Sequence, residues 1–129
     1  MSKPPFPVVL LLLLISSTQS PAACASSFVC NLLKYTVGDQ FAGNLESLLN
    51  DLADLGKYKP GENYYEKYDF RGSQVAYGRS KCSGSLTVDD CYSCLFKAVV
   101  AVKEWCYMAI GGQGELEECD LRYEQYEFV

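Results

Sequence analysis

The sequence predicts an α+β fold in which two helices pack on an antiparallel sheet of four or five strands. Two segments carry apolar residues at helical spacing, one over residues 44–55 and one after Thr87. Between and after them lie tyrosine- and valine-containing runs of strand length, separated by turn residues. No internal repeat or linker divides residues 26–129, so we expect a single domain.

Residues 1–25 have the three parts of a secretory signal peptide. Lys3 supplies a positive start, residues 8–15 are an unbroken apolar run, and small residues follow as far as Ala25. The apolar run is shorter than the roughly 20 residues that a membrane-spanning helix needs. We therefore expect residues 26–129 to be secreted into the apoplast, with no membrane insertion.

The chain has 7 cysteines, and signal cleavage decides how many of them reach the secreted protein. Ala23 and Ala25 suit a cut before Ser26, which removes Cys24 and leaves six cysteines. Six cysteines in an oxidising compartment predict three disulfides, which the spacing alone allows to pair in about 15 ways. A cut further upstream would leave Cys24 as a free thiol or as one partner of an intermolecular bond.

The protein is acidic, with a formal net charge of −5 that becomes −6 when Lys3 leaves with the signal. An acidic domain repels nucleic acid and anionic lipid, which argues against nucleic-acid binding and against membrane lysis by a cationic surface. The chain contains no histidine, the most frequent general base and metal ligand. Asp89 and Asp90 lie at a predicted helix start, where capping explains them better than catalysis. We predict a protein that is not an enzyme and uses no cofactor or metal.

The first half of the domain is predicted to contain a strand and a helix. Residues 27–32 fit a short strand, and residues 44–55 fit an amphipathic helix that Asn44 caps and Gly56 ends. The apolar stripe of this helix is Leu45, Leu48, Leu49, Leu52 and Leu55.

Two strands should follow, over residues 64–70 and 75–82, paired antiparallel around a turn at residues 71–73. The chain has 10 tyrosines, and several of them lie in these strands, including Tyr64, Tyr65 and Tyr68. We expect most of them to pack between elements rather than to stack on a ligand.

A second helix is predicted after Thr87, because threonine followed by Asp90 at the third position resembles a capping box. Its apolar stripe is Cys91, Leu95, Ala98, Val102, Trp105 and Ala109. The pair at residues 111–112, both glycine, should mark its end. One or two closing strands are expected between residues 115 and 128.

Cys82, Cys91 and Cys94 have the most informative spacing, with eight residues between the first two and two between the last two. Cysteines two residues apart also occur in redox motifs and in zinc sites. A zinc site without histidine needs four thiolates, whereas the secretory pathway favours disulfides. The redox alternative stays open, because Cys91 lies near a predicted helix start, but structural disulfides are favoured.

This array resembles the signature of the plant stress-antifungal family, the cysteine-rich repeat secretory proteins typified by ginkbilobin. Further matching segments are Cys30-Asn31, Ala76-Tyr77-Gly78-Arg79, Cys106 with Ala109-Ile110-Gly111, and Cys119 with Tyr123-Glu124-Gln125. The resemblance covers nearly all of residues 26–129 and implies about five antiparallel strands with two helices on one face. It also implies the disulfides Cys30–Cys106, Cys82–Cys91 and Cys94–Cys119.

The resemblance implies a mannose site made by an asparagine, an arginine and a glutamate, at positions that correspond to Asn31, Gln113 and Glu124. Amide and carboxylate groups suit a sugar, whose hydroxyls both donate and accept hydrogen bonds. Gln113 departs from the pattern, and replacing a charged donor with a neutral one costs about 1–2 kcal/mol, or about tenfold in affinity. We expect Gly112 and Gly114 to add backbone freedom beside it.

We therefore expect a secreted defence protein that binds mannose or fungal cell-wall glycans and has antifungal activity. The alternative is an apoplastic protein–protein interaction module or inhibitor with a disabled sugar site, whose acidic tail meets a basic extracellular protein. Gln113 favours the alternative, whereas Asn31 and Glu124 favour the glycan. Two simpler interpretations stay open, since Asn31 can satisfy backbone groups at a turn and Glu124 can belong to a solvated acidic face.

Overall fold

The computed structural model describes residues 26–56, 59–69 and 74–128. The predicted signal peptide with Cys24, and the predicted turn at residues 71–73, lie outside the described residues. The elements are β1 (Ser27–Cys30), α1 (Gln40–Gly56), β2 (Asn63–Tyr68), β3 (Ala76–Cys82), α2 (Val88–Trp105), β4 (Gly111–Glu115) and β5 (Cys119–Glu124). Neither described helix is both long and apolar enough to cross a membrane.

The five strands form one antiparallel sheet in the order β1-β4-β5-β3-β2. Gly78 and Gly112 both pair with Tyr123, so all three residues share one face of the sheet. A Cβ atom at Gly78 would meet Leu48 and Leu52 of α1, and one at Gly112 would meet Cys106 at the end of α2. Both helices therefore cover the same face, and the predicted fold class is confirmed.

Helix α1 begins four residues before the predicted start and ends at Gly56 as predicted. The prediction that Asn44 is its cap is wrong, because Asn44 is buried inside the helix and donates from Nδ2 to the Gln74 carbonyl at 3.1 Å. The Gln74 side chain accepts from the Phe41 N–H at 3.0 Å and so satisfies a backbone donor of the first turn. The described buried stripe is Phe41, Leu45, Leu48, Leu49 and Leu52, and the predicted fifth position, Leu55, lies outside the described side chains.

Helix α2 starts as predicted, with Thr87 Oγ1 accepting a hydrogen bond from the Asp90 N–H at 3.1 Å. Its buried stripe is Cys91, Leu95, Ala98, Val99 and Val102. The predicted end is wrong, since the helix stops at Trp105, whose side chain is 69% exposed and stacks on Phe28 with ring centroids 5.5 Å apart. The glycines at 111–112, which were predicted to mark the helix end, begin β4 instead.

The glycines of β4 are required by close packing on the helix-covered face. A Cβ atom at Gly112 would lie 2.9 Å from the Tyr123 ring and 3.0 Å from the Cys106 sulfur, and one at Gly114 would lie 3.0 Å from a ring on β1. Neither glycine has a positive φ. The expectation of extra backbone freedom around Gln113 is therefore wrong, because these glycines let the strand lie close to the core.

Three disulfides tie the sheet to α2 and the residue that follows it. They are Cys30–Cys106, Cys82–Cys91 and Cys94–Cys119, with sequence separations of 76, 9 and 25. These are the pairs that the family resemblance implies. Because Cys91 and Cys94 bond to different partners, they do not form a redox pair with each other and offer no thiolate to a zinc ion.

The three disulfides should contribute to stability in the order of the chain length that each one closes. Loop-closure entropy gives about 4.5 kcal/mol for Cys30–Cys106 and about 2.5 kcal/mol for Cys82–Cys91, with the third bond between them. The measurement is urea unfolding of variants in which both cysteines of one bond are alanine. A larger loss for Cys82–Cys91 than for Cys30–Cys106 would contradict this entropic order.

Candidate functional site

The residues that the sequence singled out converge on one cleft where β1, β4 and β5 lie side by side. Asn31 directly follows β1, Gln113 is the central residue of β4, and Glu124 is the last residue of β5. The cleft has a volume of about 250 Å³ and is lined by Val29, Cys30, Asn31, Gly112, Gln113, Arg122, Glu124 and Tyr126.

Strand register brings these side chains together. Gln113 is directly opposite Val29 on one side and Arg122 on the other, and Gly111 is opposite Glu124. The Asn31 N–H donates to the Gly111 carbonyl at 2.9 Å, which holds the end of β1 against β4. Residues more than 90 positions apart in the sequence thus become neighbours on the sheet.

Asn31 has one half of its amide committed to the backbone. Its Oδ1 accepts a hydrogen bond from the Leu33 N–H at 2.8 Å, which closes an Asx turn after β1. The side-chain oxygen of Asn31 therefore satisfies a backbone group at a turn, as the simpler interpretation of this residue predicts. The Nδ2 group carries two further N–H donors, so donation to a ligand is the role in which Asn31 does not compete with its own turn.

Glu124 is 8% exposed, so the interpretation of this residue as part of a solvated acidic face is wrong. Its Oε2 accepts a hydrogen bond from Arg122 Nε at 3.0 Å, which balances its charge. Gly111 makes room for the carboxylate, because a Cβ atom there would lie 1.9 Å from Oε1. Glycine at position 111 is therefore part of the site although it contributes no side chain.

Arg122 is the cleft residue that the sequence analysis missed. Besides its bond to Glu124, it donates from Nη2 to the Tyr126 hydroxyl at 3.3 Å, and its Cζ lies 4.1 Å from the centroid of the Phe128 ring. Partial burial lowers the pKa of the Arg122 guanidinium, but the hydrogen bond and charge of Glu124 outweigh it and the net pKa is raised. The period of two along β5 puts Arg122 and Glu124 on one face, and this signal was available in the sequence.

The cleft combines an anionic acceptor and a cationic donor, so that its formal charge is zero. Within the described ranges, no group of three or more His, Cys, Asp or Glu side chains is arranged to hold a metal ion. The arrangement suits recognition by hydrogen bonds of a neutral molecule that carries several donors and acceptors.

The fold and the cleft define a small cysteine-rich α+β domain with three disulfides and a polar site at one side of its open sheet. The family model described as salt stress response/antifungal matches residues 24–126. The chain therefore belongs to the salt stress response/antifungal family.

Several proteins of similar sequence carry antifungal names. Antifungal protein ginkbilobin-like protein 1 of Picea glauca is 31% identical over 94% of this chain and 88% of its own length. Antifungal protein ginkbilobin-2 of Ginkgo biloba is 29% identical over 95% of this chain and 90% of its own length.

A solved structure supports the fold. The tandem DUF26 ectodomain of the Arabidopsis thaliana cysteine-rich receptor-like protein PDLP8 superposes with a TM-score of 0.73 and 24% identity over 80% of this chain. The matched region is 49% of that ectodomain, so this chain spans about half of it.

Alanine at position 111 should displace the Glu124 carboxylate and break its bond to Arg122. The clashing atom ends a flexible side chain, so the fold should persist while the free energy of unfolding falls by about 1–3 kcal/mol. The measurement is the NMR signal of the Arg122 Nε–H, together with urea unfolding. Gly43→Ala is the control, since a Cβ atom at that helical position meets nothing within 4 Å. An unchanged Arg122 signal in Gly111→Ala would contradict the geometry.

Proposed function

We propose that this protein is a secreted antifungal protein that binds neutral, mannose-type glycans in the cleft between Asn31 and Glu124. The ion pair of Arg122 with Glu124, at 3.0 Å on the cleft wall, is the observation that carries the proposal. The predicted signal peptide supports secretion, and the similarity to antifungal proteins of Picea glauca and Ginkgo biloba supports the antifungal role.

A pair of this kind suits two neighbouring hydroxyls of a pyranose ring. One hydroxyl can donate to the Glu124 carboxylate while the next accepts from the Arg122 guanidinium, and both hydrogen bonds are charge-assisted. Because the two charges cancel, the cleft has no net charge that would favour a charged ligand over a neutral one. An anionic sugar would instead face the Glu124 carboxylate in a protein whose net charge of −5 becomes −6 once Lys3 leaves with the signal.

Arg122 can take the part that the family resemblance assigns to an arginine at position 113. Gln113 and Arg122 are directly opposite each other, and side chains in such a pair have Cβ atoms about 5 Å apart on the same face. A guanidinium from position 122 therefore reaches much of the space available to one from position 113. Gln113 and Asn31 then add neutral amide donors around it.

Mannose titration followed by NMR shifts of β5 amides tests the binding. We expect saturable shifts in the unmodified protein, and in Glu124→Gln an affinity at least about tenfold lower because the charged acceptor is lost. Asp120→Asn is the matched control, since Asp120 is also on β5 and pairs with an arginine, Arg79, at 2.9 Å outside the cleft. Absence of any response in both the unmodified protein and the control would discard glycan binding.

An exchange of the two cross-strand residues tests the role of Arg122. Arg122→Gln should lose affinity as Glu124→Gln does, whereas the double variant Gln113→Arg/Arg122→Gln should regain most of it because one guanidinium remains in the cleft. Gln113→Arg alone should not strengthen binding, since it puts two cations opposite each other. Full affinity in Arg122→Gln would remove this residue from the site.

An extracellular protein-interaction module is the second candidate, and a surface of α2 favours it. Val88, Tyr92, Phe96 and Val100 are four residues apart and between 39% and 53% exposed, so they form an apolar stripe on the outside of the helix. Sedimentation of the unmodified protein and of Phe96→Glu tests this candidate. A complex that forms through the stripe should be lost in the variant, whereas a complex through another surface should remain.

A further inference from the structure

The helix-free face of the sheet continues from the cleft toward the opposite edge. On β3 and over residues 119–123 of β5 the residues alternate between buried and half-buried, and the half-buried ones point away from the helices. The residues of this helix-free face that matter here are Arg122 and the buried Glu124 on β5, and Tyr77 and Arg79 on β3. Each is in register with a residue on the neighbouring strand.

Two rows of side chains cross this face from the cleft to β2. Glu124 is opposite Tyr77, which is opposite Lys67, while Arg79 lies between Arg122 and Tyr65 in the second row. Because directly paired residues share a face, the rows are continuous. Two strand spacings, roughly 10 Å, separate β5 from β2, a distance that a short oligosaccharide spans.

The rows lead into a groove of about 360 Å³ at the β2 side of the face. Its lining is Tyr65, Glu66, Lys67, Tyr77, Gly78 and Glu127. Tyr65 is 49% exposed, although it is a large aromatic side chain.

The neighbouring tyrosines of β2 have structural partners. Tyr68 donates its hydroxyl to the Asp51 carboxylate of α1, and Tyr64 donates to the Lys59 carbonyl at 3.4 Å. The hydrogen bond to Asp51 is the main reason that the pKa of Tyr68 is raised. Alternation puts Tyr65 on the other face of the strand, away from α1. Packing against a helix therefore explains Tyr68 but not Tyr65.

We propose that this groove is a second sugar subsite, which holds the next units of a neutral oligosaccharide whose end occupies the cleft. This inference rests on the proposed function. The rings of Tyr65 and Tyr77 offer apolar faces to the C–H groups of a pyranose. Aromatic side chains are common in the lining of small-molecule sites. Lys67 supplies a donor and Glu127 an acceptor to the hydroxyls of the same unit.

The test compares mannose, α-mannobiose and α-mannotriose by calorimetry on the full chain with its disulfides formed. The unmodified protein should bind the trisaccharide about three- to tenfold more tightly than mannose. Tyr65→Thr/Tyr77→Thr should lose this gain and keep its affinity for mannose, since threonine retains strand propensity. Tyr92→Ala is the control, because Tyr92 is 39% exposed but lies on α2.

Three results would overturn the subsite, and each is distinct from the others. If the unmodified protein binds mannose but gains nothing from longer sugars, the cleft stands and the groove does not. If the double tyrosine variant keeps the gain, the added units lie elsewhere on the surface. If no sugar binds the unmodified protein, the proposed function fails and the subsite fails with it.

Discussion

The register between β4 and β5 fixes both the cleft and the side of β5 that packs on the helices. It puts Gly111 opposite Glu124 and Gln113 opposite Arg122, which creates the cleft and its ion pair. A slip of one residue would turn Arg122 and Glu124 toward the helices and expose the core side chains. The disulfide from Cys119, at the start of β5, to α2 opposes such a slip.

Strand β5 supplies residues to both the hydrophobic core and the cleft. The packing of its core residues therefore maintains the geometry of the cleft. Leu121 and Tyr123 are buried against the helices, and the Tyr123 hydroxyl donates to the Ala109 carbonyl at 2.9 Å. Burial is the main cause that raises the pKa of Tyr123 above the usual tyrosine value. Arg122 and Glu124 alternate with these residues and face the cleft. Their positions therefore follow from the packing of β5.

The two candidate functions use different surfaces of the domain. The proposed glycan recognition would use the helix-free face of the sheet, where polar side chains and tyrosines lie in rows across the strands. A protein contact would use the outer side of α2, where Phe96 and its neighbours form an apolar stripe. Because the sheet and α2 lie back to back, occupation of one surface leaves the other accessible.

The sequence was sufficient to predict the fold class, the Thr87 cap, the pairing of β2 with β3 and the cysteine framework, because these follow from local spacing and turn chemistry. Its family resemblance also supplied the disulfide pairs. Tertiary contacts were needed to show that Gln74 supports the start of α1, that the glycines of β4 lie against the core, and that Arg122 lies opposite Gln113 in the same cleft as Asn31. These features depend on contacts between separate segments, and local sequence patterns do not specify which segments meet.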